Sequence, residues 1–292
     1  ASTKSVEVGF DTDRHTWSEK IEPLDTPYYF ATFKAPSGET RVELYYGVAV
    51  AQLTDEAKNQ NTNVTLEKGF ALQNREWRPV HRIDRQVKLQ SSGHPQIING
   101  MYLDIFRYTA PPDSYQVSFY ARQVEVAPNR LGGYNFSERL RDYNSPKLLV
   151  SDLLLAFSIE PAAREDLFTR RDLRLVPNPH RSFDRQKPVS LYFEIYNLSL
   201  DPEGKSAFTI EYTVQLVEKK KSTLGKIGGV FGGGTKSKIS LSAEHEGESA
   251  TAIETIGLDL SKAEAGEFEL TVTVTDRHNK TEAKTTSKLW LY

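Results

Sequence analysis

The chain reads as an all-β protein of two tandem β-sandwich domains, the second of them immunoglobulin-like. Three observations lead there. Apolar and polar residues alternate over long stretches, as in Val42, Leu44, Tyr46, Val48 and Val50, which is the period of a strand with one buried face. Gly, Pro and Asn/Asp clusters interrupt these runs at short spacing, with almost no helical period between them. The 292 residues exceed one ordinary core and suit two.

Residues 1–25 are polar and without sustained period, so they read as an extended arm with Trp17 as its anchor. The first sandwich is expected over 26–160. After the turn at Gly38 and the strand from Val42, alternation continues at Val64 and Leu66, at Val87 and Leu89, and from Tyr102 to Phe106. Gly69, Pro79, Gly93, Pro95 and the Pro111-Pro112-Asp113 cluster read as turns. Tyr115, Val117, Phe119 and Ala121 hold odd positions before Val124 and Val126 take the even ones, a parity flip that predicts a β-bulge near Arg122. Asn129 to Pro146 reads as a loop or short helical connection, and the apolar run Leu148 to Ile159 as a strand buried on both faces.

The stretch 161–186, rich in Arg, Pro and Asn, is the expected junction, and 187–292 the second sandwich. There Leu191, Phe193 and Ile195 alternate, then Phe208, Ile210, Tyr212, Val214 and Leu216, then Phe268, Leu270, Val272 and Val274. Asp276 to Lys280 makes a hairpin loop, and the closing strand runs to Leu291. Glu194 interrupts one of these strands; since Phe193 and Ile195 take the inner parity, it is expected on the solvated face, whereas an inward position would demand an Arg partner.

Three blocks, LLVSDLLLAF, LRLVPNP and PVSLYFEIYNL, followed by LDLSKAEAGEFELTVTVTD, resemble the C-terminal part of bacterial GWxTD domain-containing proteins. An SD-containing strand, a VPNP turn and a YFEIYNL strand recur there in the same order. The resemblance covers residues 28–292; the tryptophan-containing motif that names the family is absent from this chain. It implies a bacterial origin and export to the periplasm, cell surface or exterior, with the signal peptide removed ahead of Ala1.

Composition narrows the chemistry. A formal net charge of −2 gives no field to gather nucleic acid, and no apolar run approaches the ~20 residues of a membrane span. Cys is absent, which removes disulfides, thiolate nucleophiles and Cys-based metal sites. The six His are scattered without HExxH or another metal-ligand spacing, and Ser151 lacks the glycines of a nucleophile elbow. The chain is therefore expected to be non-enzymatic, with no cofactor and no metal.

Two segments are candidates for binding. Lys219 to Lys238 lacks the order of a phosphate loop. It reads either as a glycine-loosened hairpin loop or as an apolar tip of Ile227, Val230 and Phe231 rimmed by Lys219, Lys220, Lys221, Lys226, Lys236 and Lys238. Such a tip suits a partner groove, a second copy or an anionic membrane surface. Arg170, Arg171, Arg174, His180 and Arg181 form a basic cluster that either binds an anion or is held in ordinary ion pairs with nearby acids; Arg75, Arg78, His81, Arg82 and Arg85 around Trp77 pose the same choice. Most of the many Tyr, among them Tyr28, Tyr29, Tyr45, Tyr192 and Tyr196, are expected to pack in the core, and those that face outward to offer a recognition surface for proteins or sugars. The leading expectation is a binding or assembly module of the bacterial envelope or exterior, acting through protein contacts and self-association. A glycan-recognising module would require coplanar exposed aromatics, and a hydrolase would require His180 beside a Ser or carboxylate.

Overall fold

The computed structural model describes residues 21–53, 63–90, 94–125, 128–217 and 238–292. These fold as two units, Ala1–Asn144 and Ser145–Tyr292, each with two β-sheets enclosing its own core. Among the described residues the only helical element is a short 3-10 turn, Val50–Gln52.

The first unit contains β1 (Ile21–Pro23), β2 (Tyr28–Lys34), β3 (Thr40–Ala49), β4 (Asn63–Gln73), β5 (Pro79–Gln90), β6 (Ile97–Ile98), β7 (Met101–Ala110), β8 (Ser114–Val124) and β9 (Asn129–Arg139). One sheet has the order β1-β9-β8-β4-β5 and the other β2-β3-β7-β6. Val42, Leu44, Tyr46 and Val48 from β3 meet Leu66, Phe70, Leu72, Val117 and Phe119 from the facing sheet, so the alternation read from the sequence does mark the core side.

The second unit contains β10 (Leu149–Val150), β11 (Leu154–Pro161), β12 (Thr169–Arg170), β13 (Leu173–Pro177), β14 (Ser182–Phe183), β15 (Val189–Tyr196), β16 (Ser206–Leu216), β17 (Lys238–Gly247), β18 (Thr251–Leu258), β19 (Gly266–Asp276) and β20 (Glu282–Leu291). One sheet has the order β10-β15-β11-β13-β12, with β18 on the other side of β15; the second has the order β14-β20-β19-β16-β17. Leu191, Phe193 and Ile195 face Phe208, Ile210, Tyr212 and Val214 across an immunoglobulin-like core.

Several expectations differ from this structure. The chain divides after Asn144, so the run Leu148 to Ile159 belongs to the second unit, where β10 and β11 both pair with β15. The polar stretch 161–186 is a folded part of that unit, and its Arg and Asn residues fasten turns: Arg174 Nε lies 2.7 Å from Asp166 Oδ2, and Asn178 Nδ2 donates to the Ser182 carbonyl at 2.7 Å. The segment expected as a loop after Asn129 is the eleven-residue β9. Ile21–Pro23, assigned to the arm, pairs with it in parallel; Trp17 lies outside the described residues.

The bulge near Arg122 is absent. Pairing of β8 with both β4 and β9 runs through Arg122 without a shift. The parity flips because the middle of β8 is buried on both faces: Tyr120 donates to Asp84 Oδ1 at 3.1 Å above the bare Gly69, where a Cβ would come within 2.1 Å of the ring. Arg122, also buried, is paired with Glu67. Likewise β3 is buried on both faces, and Val50 falls beyond its end in the 3-10 turn.

Candidate functional site

The fold brings the three sequence blocks of the second unit together. Between β10 and β11 the ladder to β15 is broken at Ser151, and Ser151 itself repairs it with its backbone N–H and its hydroxyl. Ser151 N donates to the Glu194 carbonyl at 2.8 Å, and the Glu194 N–H donates to Ser151 Oγ at 2.9 Å. Asn178 of the VPNP turn donates its N–H to the Leu155 carbonyl at 3.0 Å. Asn197, with φ of 63°, ends the YFEIYNL strand, and its side-chain amide donates to the carbonyls of Ser145 and Lys147, each at 2.8 Å. Asn is among the few side chains that take a left-handed backbone readily.

Glu194 itself corrects the sequence reading: it is 2 % exposed, not solvated. β15 is a central strand buried on both faces, so Tyr192, Glu194 and Tyr196 form a second inward stripe. Tyr192 donates to Glu194 Oε1 at 2.7 Å and Tyr196 to Oε2 at 2.9 Å. Arg170 Nη1 lies 3.3 Å from Oε1, with its guanidinium carbon 5.0 Å from the Tyr192 ring centre. Burial pushes the Tyr192 hydroxyl well above its ordinary range, and Arg170 opposes that push, so it is a donor at any physiological pH. Both carboxylate oxygens are thus occupied by donors of the protein, which makes the cluster a fastener between β15 and β12. A same-parity Tyr-x-Glu-x-Tyr run was the signal available in the sequence.

The remaining basic candidates are not assembled into an anion site. Arg170 is turned inward on Glu194, and Arg174 is held by Asp166 and packs 5.5 Å over Phe168. Burial raises the Asp166 carboxyl, but Arg174 and the Phe168 N–H outweigh it and hold the group below its ordinary range. Arg181 lies 5.5 Å over the Trp290 ring, while Arg171 and His180 are exposed in turns. No hydrogen bond or ion pair joins His180 to a Ser or carboxylate among the described residues. Around Trp77, three arginines are ion-paired: Arg75 with Asp113 at 2.9 Å, Arg78 with Glu76 at 3.4 Å and Arg82 with Asp84 at 2.7 Å.

A second internal polar cluster, not read from the sequence, lies in the first unit. Asp104 falls on the core parity of β7 and is buried. Tyr46 and Tyr102 both donate to its Oδ2 at 2.8 Å, Ile105 N donates to Oδ1 at 2.8 Å, and Lys68 from the facing sheet pairs with it. The Lys68 stem passes the Phe106 ring, with Nζ 5.8 Å from its centre. Carboxylate, ammonium and both hydroxyls satisfy one another, and the cluster ties the two sheets.

Of the lysine-rimmed tip, Lys219, Lys220, Lys221, Lys226, Ile227, Val230, Phe231 and Lys236 lie outside the described residues. Lys238 is the first residue of β17 and is exposed. β17 pairs with β16 along its whole length, and among the described residues no strand pairs with its other side. Among the described residues β18, likewise, pairs only with β15. The two open edges face each other at the side of the sandwich, where His245 Nδ1 lies 3.6 Å from Glu254 Oε1. Burial raises the Glu254 carboxyl above its ordinary range, with His245 opposing. Leu241 opposes Tyr212 on the core-facing side of β17, yet it is 49 % exposed, so the core is uncovered at this edge.

Tyr29, Tyr45, Tyr192 and Tyr196 are buried, and Tyr28 stacks within a cluster of Phe119, Tyr134 and Phe136, so these rings pack inward, the fate expected of most of them, and supply no exposed recognition surface. Among the described residues the exposed aromatics are Trp77, Tyr134 and Tyr292, and no ring contact joins them to each other. No group of three or more His, Asp or Glu is placed to hold a metal, and no helix is long and apolar enough to cross a membrane, again among the described residues.

No family model matches the chain, and no curated protein matches it. Among solved structures it is similar to red sea bream transglutaminase, at 9% identity and a TM-score of 0.23, over 92% of this chain and 31% of that one. It is also similar to Escherichia coli alpha-2-macroglobulin activated by porcine elastase, at 9% identity and a TM-score of 0.26, over 92% of this chain and 24% of that one. The chain spans less than a third of the length of either protein.

Proposed function

We propose that this chain is a non-enzymatic binding and assembly module of the bacterial envelope or exterior, working through protein–protein contacts at strand edges. The observation that carries the reading is the pair of open edges, β17 and β18, with the apolar Leu241 uncovered between them. An edge strand offers a row of unpaired backbone donors and acceptors that another strand can complete, and an apolar side chain beside it adds area to bury. The buried carboxylates argue the same way from the other side: Glu194 and Asp104 have their oxygens engaged by protein donors and are closed off from a substrate. The placement in the envelope or exterior rests on the resemblance of residues 28–292 to GWxTD domain-containing proteins.

The test is photo-crosslinking from position 241, with benzoylphenylalanine in place of leucine, and from the equally exposed Leu200 as a control. The protein is irradiated alone and with a bacterial envelope extract. Crosslinks to protein from 241 in either sample, and not from 200, are the expected result. No protein adduct from 241 in both samples would sink the reading.

A further inference from the structure

We propose that the β17 edge pairs with the β17 edge of a second copy, antiparallel and two-fold symmetric about Ser242. The inference rests on the edge-contact reading above and names its partner. Two features of β17 point to a copy of itself. The first is charge order. A two-fold axis through Ser242 sets Lys238 opposite Glu246, Ser240 opposite Glu244, and Leu241 opposite Ala243. Both Lys238–Glu246 pairs are then of opposite sign, and neither residue has another ionic partner among the described residues. In the reverse, parallel arrangement the same register would set Lys238 against Lys238 and Glu246 against Glu246, and like charges directly opposite are destabilising.

The second feature is the centre of the strand. Ile239 to Ala243 carries no charge, and its core-side members Ile239 and Leu241 are incompletely covered. One of the long edge strands of the first unit, β5, is built differently: Arg82, Asp84, Arg85 and Lys88 run through its middle, the arrangement that keeps an edge from pairing. On β17, Glu244 is held back by Arg277 at 3.0 Å, which leaves Lys238 and Glu246 as the two residues that set register. An isologous edge pairing extends the β16–β17 sheet across the axis and lays Leu241 of each copy against Ala243 of the other.

Sedimentation velocity on the full chain, over a wide range of protein concentration and at low and high salt, tests this with Lys238→Glu, Glu246→Lys and the double variant. The intact chain is expected to form a dimer that weakens with salt. Each single variant turns both cross-axis pairs repulsive and is expected to weaken dimerisation by roughly tenfold. The double variant restores it. Mixing the two single variants gives a heterodimer, because their charges complement each other across the axis. Far-UV circular dichroism confirms that these exposed substitutions leave the fold intact. A monomer at every concentration overturns the proposal, leaving the edge to a strand from another protein. Association that ignores both charge changes also overturns it, while the broader reading of an assembly module survives that result.

Discussion

Glu194 shows how a single residue can be legible in chemistry and misplaced in space. Its parity relative to Phe193 and Ile195 is as the sequence indicates, on the face away from the core of the sandwich. That face is nevertheless buried, and the condition attached to burial, an Arg partner, is met by Arg170. Periodicity reports which side a residue is on, and one-sided burial is an added assumption that fails for a central strand such as β15. Removing one member of the pair strands the other as a buried charge. Glu194→Ala and Arg170→Ala are each expected to destabilise the second unit by about 3–5 kcal/mol, whereas Glu194→Leu combined with Arg170→Met costs less than the sum. Urea denaturation followed by tryptophan fluorescence measures this; additive losses in the double variant would show that the two side chains do not act as a pair.

At the scale of elements, the strands with one solvated face were legible and those with two neighbours of unusual kind were not. β16 and β19 follow the simple alternation of their sequences, with Phe208 to Val214 and Phe268 to Val274 inward. β9 does not read as a strand because its Gly132-Gly133 pair and polar second half carry turn-like composition. The reason for glycine is the neighbour: the chain just after β1 lies so close that a Cβ on Gly132 would come within 2.1 Å of the Leu24 carbonyl oxygen and 2.2 Å of Thr26 Oγ1. Glycine inside a strand is therefore a mark of close approach, and the approaching segment was the supposed arm. Gly132→Ala is expected to push β1 away from β9, at a cost of about 1–3 kcal/mol. Amide exchange should then lose protection at Leu24, whose N–H donates to the Leu131 carbonyl at 3.0 Å. Unchanged exchange there would mean that the backbone shifts elsewhere to admit the methyl group.

For the whole molecule, the count of two sandwiches followed from length and strand number, but the boundary between them did not follow from composition. Residues 161–186 look like a linker because Arg, Pro and Asn are abundant, yet those side chains close turns inside a folded unit, as Arg174 does on Asp166 and Asn178 does on Ser182. The true boundary, after Asn144, lies at an Asn-Ser-Pro turn that offers little compositional contrast. Consequences for fragments follow directly. A fragment of residues 145–292 keeps β10 and β11 against β15, and with them Leu148, Val150, Leu153 and Leu155 of the core. A fragment of residues 187–292, cut where composition suggests, loses those four side chains, leaves one side of β15 without a partner, and removes Phe183 and the β14 pairing to β20. The longer fragment is expected to unfold in urea in one cooperative transition with near-ultraviolet circular dichroism of a fixed core. The shorter one should lack both, since losing several fully buried aliphatic side chains at about 2–5 kcal/mol each exceeds the whole stability of a domain of this size. If the shorter fragment unfolds as cooperatively as the longer, β10 to β14 are appendages of the second sandwich and its core is complete without them.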